Sequence, residues 1–137
     1  MSRESDAWLR LVQAVGAIET TLAKAMQTEH GLGLSEYRAL VALARSPNDE
    51  LRMQDLAVHL GLNQSSVSRM VERLERSELT VRDLCPDDKR GVYTVLTDKG
   101  RARLDGAKPF YEARLKAALD GQGLTDLPVP APPSRSD

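Results

Sequence analysis

The sequence predicts a mainly α (α+β) fold, in which two short helices and a two-stranded hairpin sit between two long helices. Three observations carry this prediction. Stretches toward both ends repeat apolar residues at helical spacing. A short helix is followed at Leu60-Gly61-Leu62 by a turn and then by a second, sharply two-faced helix. Two β-rich runs flank a polar segment punctuated by Pro86 and Gly91. The 137 residues are 41% hydrophobic but only 4% aromatic, which suits one domain packed with aliphatic helices.

The elements follow in order. Trp8, Leu11, Val12, Val15, Ile18, Leu22 and Met26 recur every three or four residues. They define a long amphipathic helix capped by Ser5 or Asp6 and broken at Gly31-Leu32-Gly33. Its stripe serves either as core or as a subunit contact. Ser35 is expected to cap a second helix carrying Tyr37, Leu40, Val41 and Leu43, which stops before the turn cluster Ser46-Pro47-Asn48-Asp49. Leu51-Arg52-Met53 reads as a short strand. Residues 54–60 read as a helix with Leu56, Ala57 and Leu60 inward, and Gly61 as its left-handed C-terminal cap. Asn63 caps the next helix, whose apolar stripe is Val67, Met70, Val71 and Leu74. Residues 79–84 and 92–96 read as strands. Thr97 caps a final long helix running through Leu104, Phe110, Leu115 and Leu119, with a kink or restart expected at Pro109. From Gly121 onward Gly, Pro and Ser dominate, the composition of a disordered or extended tail.

A tight glycine turn between two short helices is the helix-turn-helix signature, and the hairpin after it makes a wing. The second helix suits a DNA major groove, about 12 Å wide. Gln64, Ser65 and Ser66 stand at the positive end of its dipole and can approach phosphates and base edges. Ser68 and Arg69 lie one turn on. Arg69 suits bidentate contact with guanine and Gln64 pairing with adenine, while Arg73 and Arg76 suit phosphates. At the hairpin tip Lys89 and Arg90 are offered to phosphate or minor groove, and Asp88 is expected to hold an arginine in place.

The net charge is only −1, so no bulk positive field draws the chain to nucleic acid. Glu72 and Glu75 alternate with the helix arginines as potential partners. Affinity must then come from geometry and from two copies of the surface. A winged-helix protein-interaction module without DNA binding is the alternative that this charge balance supports.

Other chemistries find little footing. A single cysteine, Cys85, permits no intrachain disulfide, and its setting between Arg82 and Lys89 is opposed by Asp83 and Asp87, which weakens a redox-sensor reading. His30 and His59 stand apart, whereas zinc needs three or four convergent ligands, so no metal or cofactor is expected. No phosphate-binding loop or nucleophile motif points to an enzyme. Residues 1–10 lack the apolar segment of a signal peptide, and no apolar run nears the ~18 residues of a membrane span, so a cytoplasmic protein without membrane partners is expected.

Several fragments together resemble the MarR family of bacterial transcriptional regulators. They are Gly33-Leu34-Ser35, Met53-Gln54-Asp55-Leu56-Ala57, the run from Ser66 to Glu75, Asp88-Lys89-Arg90 and Leu96-Thr97-Asp98-Lys99-Gly100, in this order and spacing across residues 7–119. The resemblance implies a homodimer of winged helix-turn-helix subunits on double-stranded DNA with a pseudo-palindromic operator, commonly a repressor released by a small phenolic or other effector. By position, Ser65, Ser66, Ser68, Arg69 and Arg73 match the recognition helix, Arg90 the wing-tip arginine and Asp88 the wing-bracing aspartate. It further implies an N-terminal dimerisation helix over 1–33, a DNA-binding domain over 34–97, a C-terminal dimerisation helix over 98–120 and a tail over 121–137. An effector pocket between the long helices and the winged domain would draw on Trp8, Leu11, Val15, Tyr37 and Tyr111. Three departures stand out: Glu78-Leu79 replaces a Gly-Leu turn, Cys85 replaces an acidic or polar residue, and a Pro-rich stretch stands where a last interlocking helix is usual.

Overall fold

The computed structural model describes residues 2–84 and 92–125. Five helices and three strands follow in the order α1 (Arg3–His30), α2 (Leu34–Ala44), β1 (Glu50–Arg52), α3 (Met53–Leu60), α4 (Gln64–Arg76), β2 (Thr80–Leu84), β3 (Val92–Leu96) and α5 (Asp98–Gly121). A 3₁₀ turn at Pro47–Asp49 leads into β1. The strands form one antiparallel sheet in the order β1-β3-β2, with Leu51 opposite Thr94 and Val81 opposite Val95.

Helix starts differ from the sequence expectation in two places. Ser2, not Ser5 or Asp6, caps α1, its hydroxyl accepting a hydrogen bond from Ser5 N–H at 3.1 Å. Nothing between Ser2 and Trp8 interrupts a helix, and Glu4 and Asp6 in the first turn favour its positive end, so the helix extends upstream. Likewise α2 starts at Leu34 with Gly33 at its cap, which places Ser35 inside the first turn. Met53 opens α3 instead of closing β1. A restart at Pro109 does not occur: α5 runs through it as one helix. Pro109 and Asp105 are both exposed, so the carbonyl that loses its helical donor faces water.

The core gathers Leu22 and Met26 of α1, Leu40 and Leu43 of α2, Leu56 of α3, and Val67, Met70, Val71 and Leu74 of α4, all buried, with Leu104 and Ala107 of α5 closing it. The apolar stripe of α1 therefore divides. Its C-terminal half is core, while Trp8, Leu9, Leu11, Val12 and Val15 remain exposed, Trp8 at 66%.

The junction of α4, β2 and α5 is tightly tied. Glu78 adopts a left-handed backbone (φ 63°), the conformation for which glycine is the usual residue. Thr97 caps α5 by accepting from Gly100 N–H at 2.9 Å, and its hydroxyl donates to the Glu78 carbonyl at 2.8 Å. Its own N–H donates to the Leu79 carbonyl at 3.1 Å. Gly100 packs so closely here that an added Cβ would stand 2.1 Å from the Leu79 carbonyl oxygen.

Candidate nucleic-acid interface

The turn between α3 and α4 is built from backbone and one side chain. Gly61 takes φ 65°, which lets Leu62 N–H reach back to the Ala57 carbonyl at 3.1 Å and end α3. Asn63 then caps α4, its Oδ1 accepting from Ser66 N–H at 2.8 Å. The first intrahelical bond joins Val67 N–H to the Asn63 carbonyl, so the N–H groups of Gln64 and Ser65 lie ahead of the ladder and point out of the helix start.

One face of α4 is sealed into the core by Val67, Met70, Val71 and Leu74. At about 100° per residue, Ser65, Arg69, Glu72 and Arg76 fall on the opposite arc, with Gln64 and Ser68 along one edge and Arg73 along the other. Gln64, Ser65 and Arg69 are exposed; Ser66 and Ser68 are half-buried. The structure thus brings Gln64, Ser65, Ser68 and Arg69 together on one exposed surface. Asp88, Lys89, Arg90 and Cys85 lie outside the described residues.

The ion pairs sort the arginines. Arg73 Nε lies 3.6 Å from Glu36 Oε1 on α2, and Arg82 Nε lies 2.5 Å from Glu75 Oε1. Glu75 therefore pairs across to β2, and the i,i+4 pairing along α4 that would have silenced its arginines is not formed. Among the described residues, Arg69 and Arg76 have no ion pair. Their guanidinium groups remain to meet an external anion, whereas Arg73 must first leave Glu36.

One cation on this side escaped the sequence reading. Arg52 of β1 stands opposite Tyr93 of β3, its Nε 3.0 Å from the tyrosine oxygen and its guanidinium 5.5 Å from the ring centre. The arrangement places a charge at the root of the hairpin. An arginine in a three-residue strand carries no periodic signal, and only the strand register reveals its aromatic neighbour.

A separate cavity of about 490 Å³ lies between α2 and α5. Tyr37 and Tyr111, both expected pocket residues, line it with ring centres 4.3 Å apart. Burial, reinforced by the charge of Glu112, pushes the Tyr37 hydroxyl up to about 12. Arg45 and Lys108 also face the cavity, as do Arg38, held by Glu19 at 3.0 and 2.5 Å, and Arg101, held by Asp49 at 2.6 Å. The Arg38 hydrogen bonds hold the Glu19 carboxyl below its ordinary range. Trp8, Leu11 and Val15 do not line this cavity; the structure places them on the exposed half of α1. No group of three metal-ligating side chains occurs among the described residues, and no helix among them is long and apolar enough to cross a membrane.

Comparison with known proteins agrees with this architecture. A MarR family model matches residues 30–91. The chain is 36% identical over 94 residues to the uncharacterized HTH-type transcriptional regulator YkoM of Bacillus subtilis, covering 68% of this chain and 59% of that protein. It is 29% identical to the HTH-type transcriptional regulator MhqR of the same organism, again across 59% of the relative. The chain thus spans somewhat over half the length of these curated relatives. Among solved structures, Sco3205 of Streptomyces coelicolor, a MarR family transcriptional regulator in complex with DNA, is 32% identical with a TM-score of 0.81, over 88% of this chain and 76% of that one. AbsC of the same organism is 29% identical with a TM-score of 0.80, over 88% and 81%. With its winged helix-turn-helix between two long helices and a relative of this identity and coverage, the chain belongs to the MarR family.

Proposed function

We propose that the protein is a sequence-specific double-stranded DNA-binding transcriptional regulator, working as a homodimeric repressor in the cytoplasm. The observation that carries this reading is the outward face of α4, where Arg69 and Arg76 have no ion pair among the described residues beside Gln64, Ser65 and Ser68. In the proposed division, residues 34–97 bind DNA while 1–33 and 98–120 join two copies. Base reading falls to Gln64, Ser65, Ser68 and Arg69, and phosphate contact to Ser66, Arg73, Arg76, Lys89 and Arg90, with Asp88 bracing the wing. The DNA complex of the related Sco3205 supports this reading over an interaction module.

The exposed apolar half of α1 supports the homodimer, because Trp8, Leu9, Leu11, Val12 and Val15 leave a contiguous unpaired stripe. A dimer places two copies of α4 about one helical turn, ~34 Å, apart on a pseudo-palindrome. We assign a small aromatic, phenolic or anionic effector to the α2–α5 cavity, where two tyrosines meet Arg45 and Lys108. The related CouR of Rhodococcus jostii binds p-coumaroyl-CoA, an acyl-CoA with a phenolic ring. Selection of bound duplexes from a random pool tests the reading, with a short inverted repeat expected. Recovery of no enriched sequence at low salt, or a monomer at tens of micromolar by light scattering, would overturn it.

A further inference from the structure

Glu36 lies outside the reading helix yet touches it. It stands in the first turn of α2, three residues after the Gly33 cap. Its Oε1 is 3.6 Å from Arg73 Nε, and the same oxygen would lie 3.1 Å from a Cβ built on Gly33, so the carboxylate folds back over the start of its own helix. That position favours a negative charge independently of Arg73, because the helix dipole presents its positive end there. Glu36 is 20% exposed and Arg73 49%. The anion is recessed and the cation reaches outward. Arg38, the neighbouring cation in the same shallow cleft, is taken by two contacts to Glu19 and makes no ion pair with Glu36.

Arg73 also sits on the edge of the α4 reading face, where the backbone of a groove-bound duplex would pass. The carboxylate and a phosphate therefore claim the same guanidinium. A phosphate gains Arg73 only by drawing it from Glu36, and it then approaches a carboxylate that stays behind. A loosely seated, nonspecific duplex can leave Arg73 on Glu36 and so escapes most of this cost. A fully seated operator takes Arg73 and bears the cost in full.

We propose that Glu36 is a specificity-setting residue that competes with DNA phosphate for Arg73, lowering operator affinity more than nonspecific affinity. The proposal rests on the reading of α4 as the DNA-binding helix. Glu36→Gln removes the charge while keeping a side chain suited to this helix position. Operator affinity should then rise by about 1.5- to 5-fold, the worth of an exposed ion pair that no longer has to be broken. Nonspecific affinity should rise by less, so the ratio of operator to nonspecific affinity rises.

The probes are a duplex recovered from a random pool by the wild-type chain and a scrambled duplex of the same composition. Arg73→Ala alone and combined with Glu36→Gln completes a double-mutant cycle, in which the Glu36→Gln effect is expected to vanish once Arg73 is gone. A selectivity ratio unchanged or lowered by Glu36→Gln, or an effect that persists in the Arg73→Ala background, overturns the proposal while leaving DNA binding intact. Failure of the wild-type chain to bind either duplex at low salt overturns the DNA reading and this proposal with it. A readout without DNA is the Arg73 Nε resonance in the full chain. It should shift on Glu36→Gln, and an unmoved resonance with a native circular dichroism spectrum refutes the contact itself.

Discussion

Gly100 and Gly106 occupy the same helix and make opposite demands on a methyl group. Alanine in a helix interior is ordinarily favoured over glycine by about 1 kcal/mol. At Gly106 nothing lies within 4 Å of the new Cβ, so Gly106→Ala should stabilise the protein by about 0.5–1 kcal/mol. At Gly100 the new Cβ would lie 2.1 Å from the Leu79 carbonyl oxygen and 2.8 Å from Leu96 Cδ1. Carbon and carbonyl oxygen ordinarily come no closer than about 3.3 Å, so one side must yield by about 1.2 Å. The oxygen is backbone, and it accepts the Thr97 N–H. Overpacking costs about 1–3 kcal/mol and the strained hydrogen bond about 1 more, against the 1 gained from helix propensity. Gly100→Ala should therefore destabilise by about 1–3 kcal/mol, lowering the melting temperature by roughly 3–12 °C. Urea unfolding followed by circular dichroism, at one protein concentration and with an unchanged m value, measures both variants. Gly100→Ala as stable as the wild type would refute the packing argument, because the two sites differ in their surroundings and not in the substitution.

Three further outcomes follow from the same contacts. Glu78→Gly relieves a left-handed backbone and gives up only an exposed 3.3 Å pair with Lys99, so stability should hold or rise by up to about 1 kcal/mol; a thermal melt lowered by more than a few degrees would contradict this. Tyr37 keeps its proton to about 12, so its share of stability is complete below pH ~10 and is lost as pH rises toward the folded value. Alkaline titration of the tyrosine absorbance should show a late step, and Tyr37→Phe should remove it; persistence of the step would assign it elsewhere. Arg69→Ala should cost about 1–3 kcal/mol on a selected duplex and relax preference at one base pair, whereas equal weakening on every sequence would show a phosphate contact only.

Much of the fold is legible in the sequence because it is written in local periodicity. The α4 stripe, its Asn63 cap, the Gly61 turn and the Thr97 cap each depend on residues within a turn or two of one another. Glu78 stood out as a departure from a glycine, and its φ of 63° shows that the turn geometry is kept at the expense of strain. Caps with several candidates were less legible: Ser2, Ser5 and Asp6 can all accept a first-turn N–H, and only the unbroken start of the helix selects Ser2. Pro109 reads as a kink or a restart, and the sequence does not show that its orphaned carbonyl faces water, where the helix can continue. The ion pairs were the least legible. Glu75 with Arg82 and Glu36 with Arg73 join separate elements, and no spacing rule within one helix anticipates them.

The junction at Thr97 has a mechanical consequence. One side chain fastens the end of the reading helix to the start of α5, so the two turn as a rigid crank. The arm of that crank is long: 24 residues at 1.5 Å each make α5 about 36 Å. A tilt of about 5° at its far end, where a second subunit would press, corresponds to about 3 Å of travel over that length. In a dimer built on these helices, the same 5° turn would swing the far end of the 13-residue α4, about 20 Å long, by about 1.7 Å, about half the 3.4 Å rise of a base pair.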